Sequence, residues 1–126
     1  MTDNLLELGS LTKRSEFLHV RNGRYAARGT VVIQMRPCES AGSGVRAGFT
    51  ATKKIGGAVV RNRAKRRLRA LARAFLPALG VAGHDYVFIA RMETASAPHE
   101  RLMHDVQKAL EKLRAGGHKP RETRNS

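Results

Sequence analysis

Residues 53–69 read Lys53-Lys54-Ile55-Gly56-Gly57-Ala58-Val59-Val60-Arg61-Asn62-Arg63-Ala64-Lys65-Arg66-Arg67-Leu68-Arg69. With 100° between successive residues, the apolar side chains of a helix through this segment gather on one side: Ala64, Leu68, Leu71, Ala72, Phe75 and Leu76. The opposite side collects Asn62, Arg66, Arg69 and Arg73, flanked by Arg63 and Lys65. Arg61 and Arg67 lie nearer the apolar boundary. The spacing predicts an amphipathic helix with a buried apolar side and an exposed basic ridge.

The positive charge of this helix has no neighbour in the sequence to neutralise it, because no Asp or Glu occurs between Glu39 and Asp85. Like charges three or four residues apart cost an isolated helix roughly 0.2–0.5 kcal/mol per pair. A bound polyanion would remove that cost. An ordinary solvated helix face, which is the alternative, usually interleaves acids with its bases. The pattern therefore favours a phosphate-binding surface.

The composition of the whole chain points the same way. Its 126 residues carry 24 Lys and Arg against 10 Asp and Glu, a formal net charge of +14. This charge favours nucleic acid as the partner over a small-molecule substrate, and leaves an anionic membrane surface as the other possible polyanion. We expect a flexible N-terminus over 1–10, a single RNA-binding domain over 11–115 and a disordered basic tail over 116–126.

Three further features bear on the cellular compartment. The chain has no run of 18 apolar residues, and Asp3 and Glu7 replace the basic start of a signal peptide. The single cysteine, Cys38, cannot form an internal disulfide. We therefore expect a cytoplasmic protein with neither a signal peptide nor a membrane-spanning helix.

The first half of the chain predicts one helix and two strands. Thr12 can cap a helix over 13–21 that stops at Asn22-Gly23. The β-branched segment 30–35 predicts a strand, and the turn residues from Pro37 to Gly44 predict an antiparallel hairpin. Its return strand, 45–52, alternates apolar side chains with polar and basic ones.

The second half predicts a crossover and a covering helix. We expect the basic helix to be interrupted near Pro77 and Gly80 and to be followed by a strand over 85–91, buried on both faces. A last helix carries apolar residues at helical spacing and ends at Gly116-Gly117. These residues are Leu102, Met103, Val106, Leu110 and Leu113. This helix should cover the sheet.

No residue pattern indicates protein-based catalysis. The five histidines never pair at i, i+4 with a nearby carboxylate, as a helical zinc site requires: they are His19, His84, His99, His104 and His118. The scattered acids form no cluster for two magnesium ions. Gly56-Gly57 lies outside any P-loop pattern and is typical of a tight strand-to-helix connection. A ribonuclease built from distant histidines remains a weaker hypothesis.

Segment 53–69 resembles the signature of the protein subunit of bacterial ribonuclease P. Three other segments are similar to that family: Leu11-Thr12-Lys13-Arg14-Ser15-Glu16-Phe17, Arg46-Ala47-Gly48-Phe49-Thr50-Ala51-Thr52 and Asp85-Tyr86-Val87-Phe88-Ile89-Ala90-Arg91. The resemblance implies an α/β, or α+β two-layer, sandwich with about four strands, three helices and a left-handed βαβ crossover. It implies two RNA partners, a catalytic RNA and a precursor tRNA whose 5′ leader that RNA removes. Magnesium ions would be held mainly by RNA phosphates, and the protein itself would bind none.

The resemblance also implies two binding surfaces. One faces the catalytic RNA and matches Lys53, Lys54, Arg61, Asn62, Arg63, Lys65, Arg66 and Arg69. The other is a cleft for the single-stranded leader and matches Phe17, Thr50 and Thr52, to which we add Arg21 and Arg46. Aromatic rings stack on unpaired bases for about 1–3 kcal/mol, which suits Phe17, although a core role for Phe17 stays open.

The chain departs from the family pattern at two places. Val20-Arg21 stands where many relatives carry a second aromatic residue, so Arg21 is expected to take over part of the leader contact. Gly57 stands where relatives usually have Asn. Our leading hypothesis is the RNA-binding subunit of a ribonucleoprotein endonuclease that leaves catalysis to its RNA. The alternative is a general or ribosome-associated RNA-binding protein without a role in cleavage.

Overall fold

Five strands form one mixed sheet in the computed structural model, which describes residues 5–119. The strands are β1 (Leu8–Ser10), β2 (Arg24–Ala27), β3 (Val31–Pro37), β4 (Val45–Thr50) and β5 (His84–Ala90). The helices are α1 (Arg14–Arg21), α2 (Ala58–Leu79) and α3 (His99–Arg114). The strand order is β1-β4-β5-β3-β2, in which β1, β4 and β5 are parallel and β3 and β2 antiparallel to their neighbours. The predicted α+β class is confirmed, with one strand more than expected.

Strand β5 lies between β3 and β4, so the predicted hairpin of these two strands is wrong. β5 pairs with β3 from Val31↔Ala90 onward and with β4 from Val45↔His84 onward. Its residues 85–88 are buried on both faces because α2 covers one face of β5 and α1 the other, while β3 and β4 pair with its two edges. The connection from β3 to β4 passes over the start of β5, where Cys38 N–H donates to Gly83 O at 2.9 Å.

The β4–α2–β5 unit is the predicted parallel crossover, and local stereochemistry gives its hand. Val45 and Ala47 share the hydrophobic core with α2. Seen from α2 with β4 running upward, an L-residue facing the viewer directs its N–H and C=O to the right. Val45 N–H donates to Glu7 O at 2.9 Å and Ala47 O accepts from Leu11 N–H at 3.0 Å, so β1 lies to the right. β5 therefore lies to the left, and the crossover is left-handed.

Helices cover both faces of the sheet. On one face, α2 packs on β4 and β5, and α3 packs on β3 and β2. The apolar residues expected from the α2 spacing are buried there, with Phe75 half-buried. On the other face, α1 packs over β3 and β5 and forms a smaller cluster with Leu11, Val20 and Val87 at its centre. The short α1 thus leaves part of this second face uncovered.

Several boundaries differ from the sequence-based expectations. Strand β1 lies in the segment expected to be flexible, because its partner is β4, far along the chain. Helix α1 begins after Lys13 rather than Thr12, since the Glu16 carboxylate accepts both of their N–H groups at 2.8 and 2.9 Å. Helix α2 continues through Pro77 to Leu79, because a proline in the last turn removes only one intrahelical bond.

The first residues of the segment expected to be a disordered tail are ordered. His118 forms a backbone bridge with Tyr25 on the outer edge of β2, with N···O distances of 2.8 and 3.1 Å. Residues 1–4 and 120–126 lie outside the described part of the chain, as do the expectations made for them. Within residues 5–119, no helix is long and apolar enough to cross a membrane.

Candidate RNA interface

The exposed side of α2 carries the basic ridge predicted from the sequence. Burial of Ala64, Leu68 and Leu76 sets the rotation of the helix about its axis. The opposite side presents four exposed ridge residues, with Lys65 half-buried at the flank and Arg73 extending the ridge toward the C-terminus. The four are Asn62, Arg63, Arg66 and Arg69. Among residues 5–119, no carboxylate lies within ion-pair distance of the ridge arginines. Their charge is available to an external anion.

Arg67 belongs to the same basic segment but points toward the protein. Its guanidinium donates to Thr94 O at 2.8 Å and to Ala97 O at 2.7 Å. Burial lowers the pKa of Arg67, and the nearby charge of Arg63 lowers it further. Arg67 therefore ties the loop before α3 to α2 and is not part of the ridge.

Arg61, which the resemblance assigns to RNA contact, is half-buried. Within the described residues, its Nε is the single buried side-chain nitrogen or oxygen that lacks a hydrogen-bond partner. A buried donor without an acceptor costs about 1–3 kcal/mol. Because this nitrogen is buried, an external phosphate oxygen could satisfy it only after the Arg61 side chain moved outward.

The N-terminus of α2 adds a second group of positive charges. Lys53 and Lys54 lie exposed in a 3₁₀ turn (Lys53–Ile55) immediately before the helix. Gly56 adopts a φ of +146°, and a Cβ there would lie 2.9 Å from the Val60 side chain, so this turn requires glycine. The helix has no side-chain cap and no acid in its first turn, so its free N–H groups and dipole reinforce the field of the two lysines. At Gly57 a Cβ atom would have no neighbour within 4 Å, so the space does not require glycine here. The turn is intact although no side chain is present at this position.

The expected leader cleft lies on the face that α1 only partly covers. The half-buried Phe17 ring rests on Gly48 of β4, where a Cβ would lie 2.5 Å from two ring carbons. Thr50, the last residue of the same strand, is half-buried, and Thr52, two residues beyond it, is exposed. The ring thus sits at the rim of the smaller cluster, with Thr50 two residues further along the strand that supports it.

Arg46 does not contribute a free charge to this cleft, in contrast to the expectation from the sequence. Its Nε and Nη2 donate to the two carboxylate oxygens of Asp85 at 2.9 and 2.7 Å, and its Nη1 donates to Glu16 at 3.1 Å. The hydrogen bond with Asp85 raises the pKa of Arg46 further, so it stays charged. With all three nitrogens engaged, Arg46 stabilises the packing of β4, β5 and α1. We therefore assign Arg46 a structural role in place of the leader contact expected from the sequence.

Arg21 is exposed at the end of α1 and lines a groove of about 310 Å³ on the same face. Tyr25 and Arg91 line the same groove, and neither was assigned a role from the sequence. Tyr25 lies in β2, a four-residue strand too short to show a clear alternation. Arg91 could have been recognised as a candidate from the sequence, because it is a basic residue that directly follows the buried strand β5.

Charged and polar groups converge on these two surfaces without forming a metal site. Among residues 5–119, no three His, Cys, Asp or Glu side chains lie close enough together to hold a metal ion. The acids nearest the cleft, Glu16 and Asp85, are both engaged by Arg46. Both surfaces therefore have the chemistry of anion binding.

Comparisons with known proteins agree with this geometry. Residues 7–114 match the family model described as Ribonuclease P. The chain is 52% identical over 110 residues to the ribonuclease P protein component of Caulobacter vibrioides, covering 87% of this chain and 74% of that protein. It is 48% identical to the same component of Ruegeria pomeroyi, over 83% of this chain and 86% of that one.

Solved structures show the same fold at lower identity. The RNase P protein of Thermotoga maritima superposes with a TM-score of 0.70 at 23% identity, covering 82% of this chain and 96% of that one. The Staphylococcus aureus RNase P protein also gives 0.70, at 21% identity and with 82% and 94% coverage. From the family match and the identity to curated protein components, we conclude that this chain belongs to the ribonuclease P protein family.

Proposed function

We propose that this subunit uses its two surfaces for two RNAs. The α2 ridge, Lys53 and Lys54 bind the catalytic RNA of ribonuclease P, and the cleft at Phe17, Thr50 and Thr52 binds the 5′ leader of precursor tRNA. The protein thereby promotes endonucleolytic removal of the leader, which matures the tRNA 5′ end. The phosphodiester chemistry belongs to the RNA subunit.

The observation that carries this proposal is the adjacency of the two surfaces. Thr50 ends β4, Thr52 lies two residues beyond it and is followed directly by Lys53 and Lys54, and α2 begins at Ala58. A leader lying in the cleft therefore reaches the edge of the surface that binds the catalytic RNA. Such an arrangement positions the scissile end of the substrate beside the RNA active site.

Each surface has the chemistry that its ligand requires. The ridge presents arginines that have no ion-pair partner among residues 5–119, and arginines bind phosphate without base specificity. The cleft combines an aromatic ring with hydroxyl groups, which hold unpaired nucleotides through stacking and weak polar contacts. The protein thus increases affinity for any leader-bearing precursor and depends little on leader sequence.

The magnesium ions that support cleavage are assigned to RNA phosphates. The described residues lack a carboxylate cluster suited to them, so the protein contributes positive charge that lowers the repulsion between the two RNAs. This assignment predicts that the protein matters most when magnesium is scarce. The proposal places the protein in the cytoplasm with its RNA partners, without a role for DNA or a membrane.

The test is cleavage of a precursor tRNA by a bacterial ribonuclease P RNA at low magnesium, with and without this protein. Stimulation that disappears when the leader is shortened to a single nucleotide supports both surfaces. Tight RNA binding without stimulation would instead favour a general RNA-binding protein. The purified protein alone should be inactive, and cleavage by a preparation shown to contain no RNA would contradict the division of labour.

A further inference from the structure

A groove lies at the β1 edge of the sheet, on the face that α2 covers. It has a volume of about 390 Å³, and the function proposed so far assigns no role to its floor. Strands β1 and β4 form the floor, and α2 forms one wall. The floor residues are Leu8, Ser10, Ala47 and Phe49, and the wall residues are Arg69, Arg73 and Pro77. We call this the edge groove.

The edge groove is open because the sheet extends further than the helix above it. Helix α2 packs on β4 and β5 and reaches the edge strand β1 only at its margin. Ser10 pairs with Ala47, so both side chains face α2, and both are small. Protein interiors are packed to high density, so small side chains beneath the margin of a helix leave a space that a ligand can enter.

The edge groove continues the basic ridge. Arg69 and Arg73 lie one turn apart on α2, are exposed, and have no ion-pair partner among residues 5–119. Asn62 and Arg66 lie on the same side of the helix and lead up to them. A strand of RNA bound along the ridge therefore passes the opening of the edge groove.

The floor differs from the ridge because most of it is apolar. Leu8 and Phe49 are half-buried, so part of their apolar surface stays in contact with water. The Arg69 guanidinium lies 5.3 Å from the centroid of the Phe49 ring, which holds a planar cation beside the floor before any ligand arrives. Phosphates alone would bind the two arginines and leave the floor uncovered. A nucleobase has flat faces that cover such a floor, and it stacks on aromatic rings and on arginine planes.

We propose that the edge groove receives one unpaired base of the catalytic RNA, which packs on the floor beside Phe49 and Arg69 while Arg73 binds the adjoining phosphate. The inference rests on the proposed function and deepens it, because the ridge then selects an unpaired position in the RNA in addition to binding phosphates. The occupant is the catalytic RNA and not the leader, since the edge groove lies on the α2 face of the sheet and the Phe17 cleft lies on the other.

Filling the edge groove without changing its charge tests the inference. Ser10→Trp should weaken binding of the catalytic RNA roughly 5- to 150-fold, the range for one stacked base. Ser10→Ala should bind like the unchanged protein, because it keeps the floor small. In the reconstituted holoenzyme, Ser10→Trp should still distinguish leader-bearing precursor from mature tRNA, which shows that the variant is folded.

Removal of the wall cation tests the phosphate contact. Arg73→Ala should weaken binding of the catalytic RNA and reduce the slope of log K against log salt concentration by about one. Lys112→Ala is the matched control, since it removes one exposed positive charge from α3, which covers the other end of the same sheet face. This control should leave the slope unchanged.

The base itself is identified on the RNA. Chemical probing of base edges, with and without the protein, should find an unpaired base of the catalytic RNA that the unchanged protein protects and Ser10→Trp leaves reactive. An abasic nucleotide at that position should weaken binding of the unchanged protein by the same factor as Ser10→Trp. The two changes together should be no worse than either one, because both remove the same contact. The abasic RNA tests the contact even if the tryptophan prevents folding.

The inference and the proposed function fail in different ways. Identical protection by the unchanged protein and by Ser10→Trp, or an abasic RNA that binds as well as the intact one, would overturn the edge groove as a base site while Arg66→Ala still reduces the salt slope. If Arg66→Ala also left binding of the catalytic RNA unchanged, the proposed function of the ridge would itself fail.

Discussion

Arg46 and Asp85 face each other across the parallel strands β4 and β5 and form a bidentate ion pair, with nitrogen–oxygen distances of 2.9 and 2.7 Å. The Asp85 side chain is only 1% exposed, so this carboxylate depends on Arg46 for its charge compensation. Removing one partner of a buried pair typically costs about 3–5 kcal/mol. Through Arg46, the pair joins β4 to β5 and, by the further bond to Glu16, to α1.

Arg46→Ala should therefore lower the free energy of unfolding by about 3 kcal/mol, measured by urea denaturation, because it leaves Asp85 buried and unpaired. The double variant Arg46→Ala/Asp85→Ala should recover part of that loss. Binding of leader-bearing and mature tRNA should change equally. A variant of unchanged stability that loses leader binding alone would return Arg46 to the cleft.

Arg66 and Arg67 are neighbours in the sequence with opposite roles. Arg66→Ala should weaken binding of the catalytic RNA. It should also reduce the slope of log K against log salt concentration by about one, the value expected for one lost phosphate contact. Arg69→Ala should do the same, with a small loss of stability because Arg69 lies 5.3 Å from the centroid of the Phe49 ring.

Arg67→Ala is the control for this pair. It should leave the salt slope unchanged and lower the free energy of unfolding by about 1–3 kcal/mol, because Thr94 O and Ala97 O lose their donor. A salt slope reduced equally by both substitutions would place Arg67 on the ridge.

Phe17 and Gly48 should behave as one unit in leader binding. Phe17→Ala should weaken binding of the precursor, by about 1–3 kcal/mol for one stacked base, and leave mature tRNA unaffected. Gly48→Ala should displace the ring and have a similar selective effect, since the new Cβ would lie 2.5 Å from the ring. Combining both changes should add little to either one. Equal losses for precursor and mature tRNA would assign Phe17 to the core alone.

Stability should fall in acid through Asp105. Burial opposes its ionisation, but hydrogen bonds from the Thr30 hydroxyl, from Arg28 and from the Thr30 N–H outweigh burial and lower its pKa. Because the pKa is lower in the folded state, the unfolded chain binds more protons below the ordinary value of about 3.9. This contribution to stability is complete above that value and is lost as pH falls toward the folded-state pKa. Asp105→Asn should flatten the pH dependence of the unfolding free energy in that range, and an unchanged slope would contradict the assignment.

Local pattern was sufficient for the parts of the fold that depend on neighbours in the sequence. The buried side of α2, its exposed basic ridge and the helix α3 follow from the 3.6-residue period alone. The two-sided burial of β5 follows from its continuous apolar run. Similarity to known relatives then connected these elements to a family and a function.

Long-range contacts account for the remainder. The local sequence of segments 31–37 and 45–50 predicts a hairpin. Neither segment contains information about β5, which lies about 40 residues later and pairs between them. The left hand of the crossover likewise depends on which edge of β4 is occupied by β1. The partner of an arginine is equally invisible in the sequence: Arg46 meets Asp85 39 positions away, and Arg67 meets Thr94 27 positions away. The periodicity of apolar residues predicts which side of a helix or strand is buried. Strand order and ion pairing depend instead on which segments, distant in the sequence, pack together most favourably in the shared core.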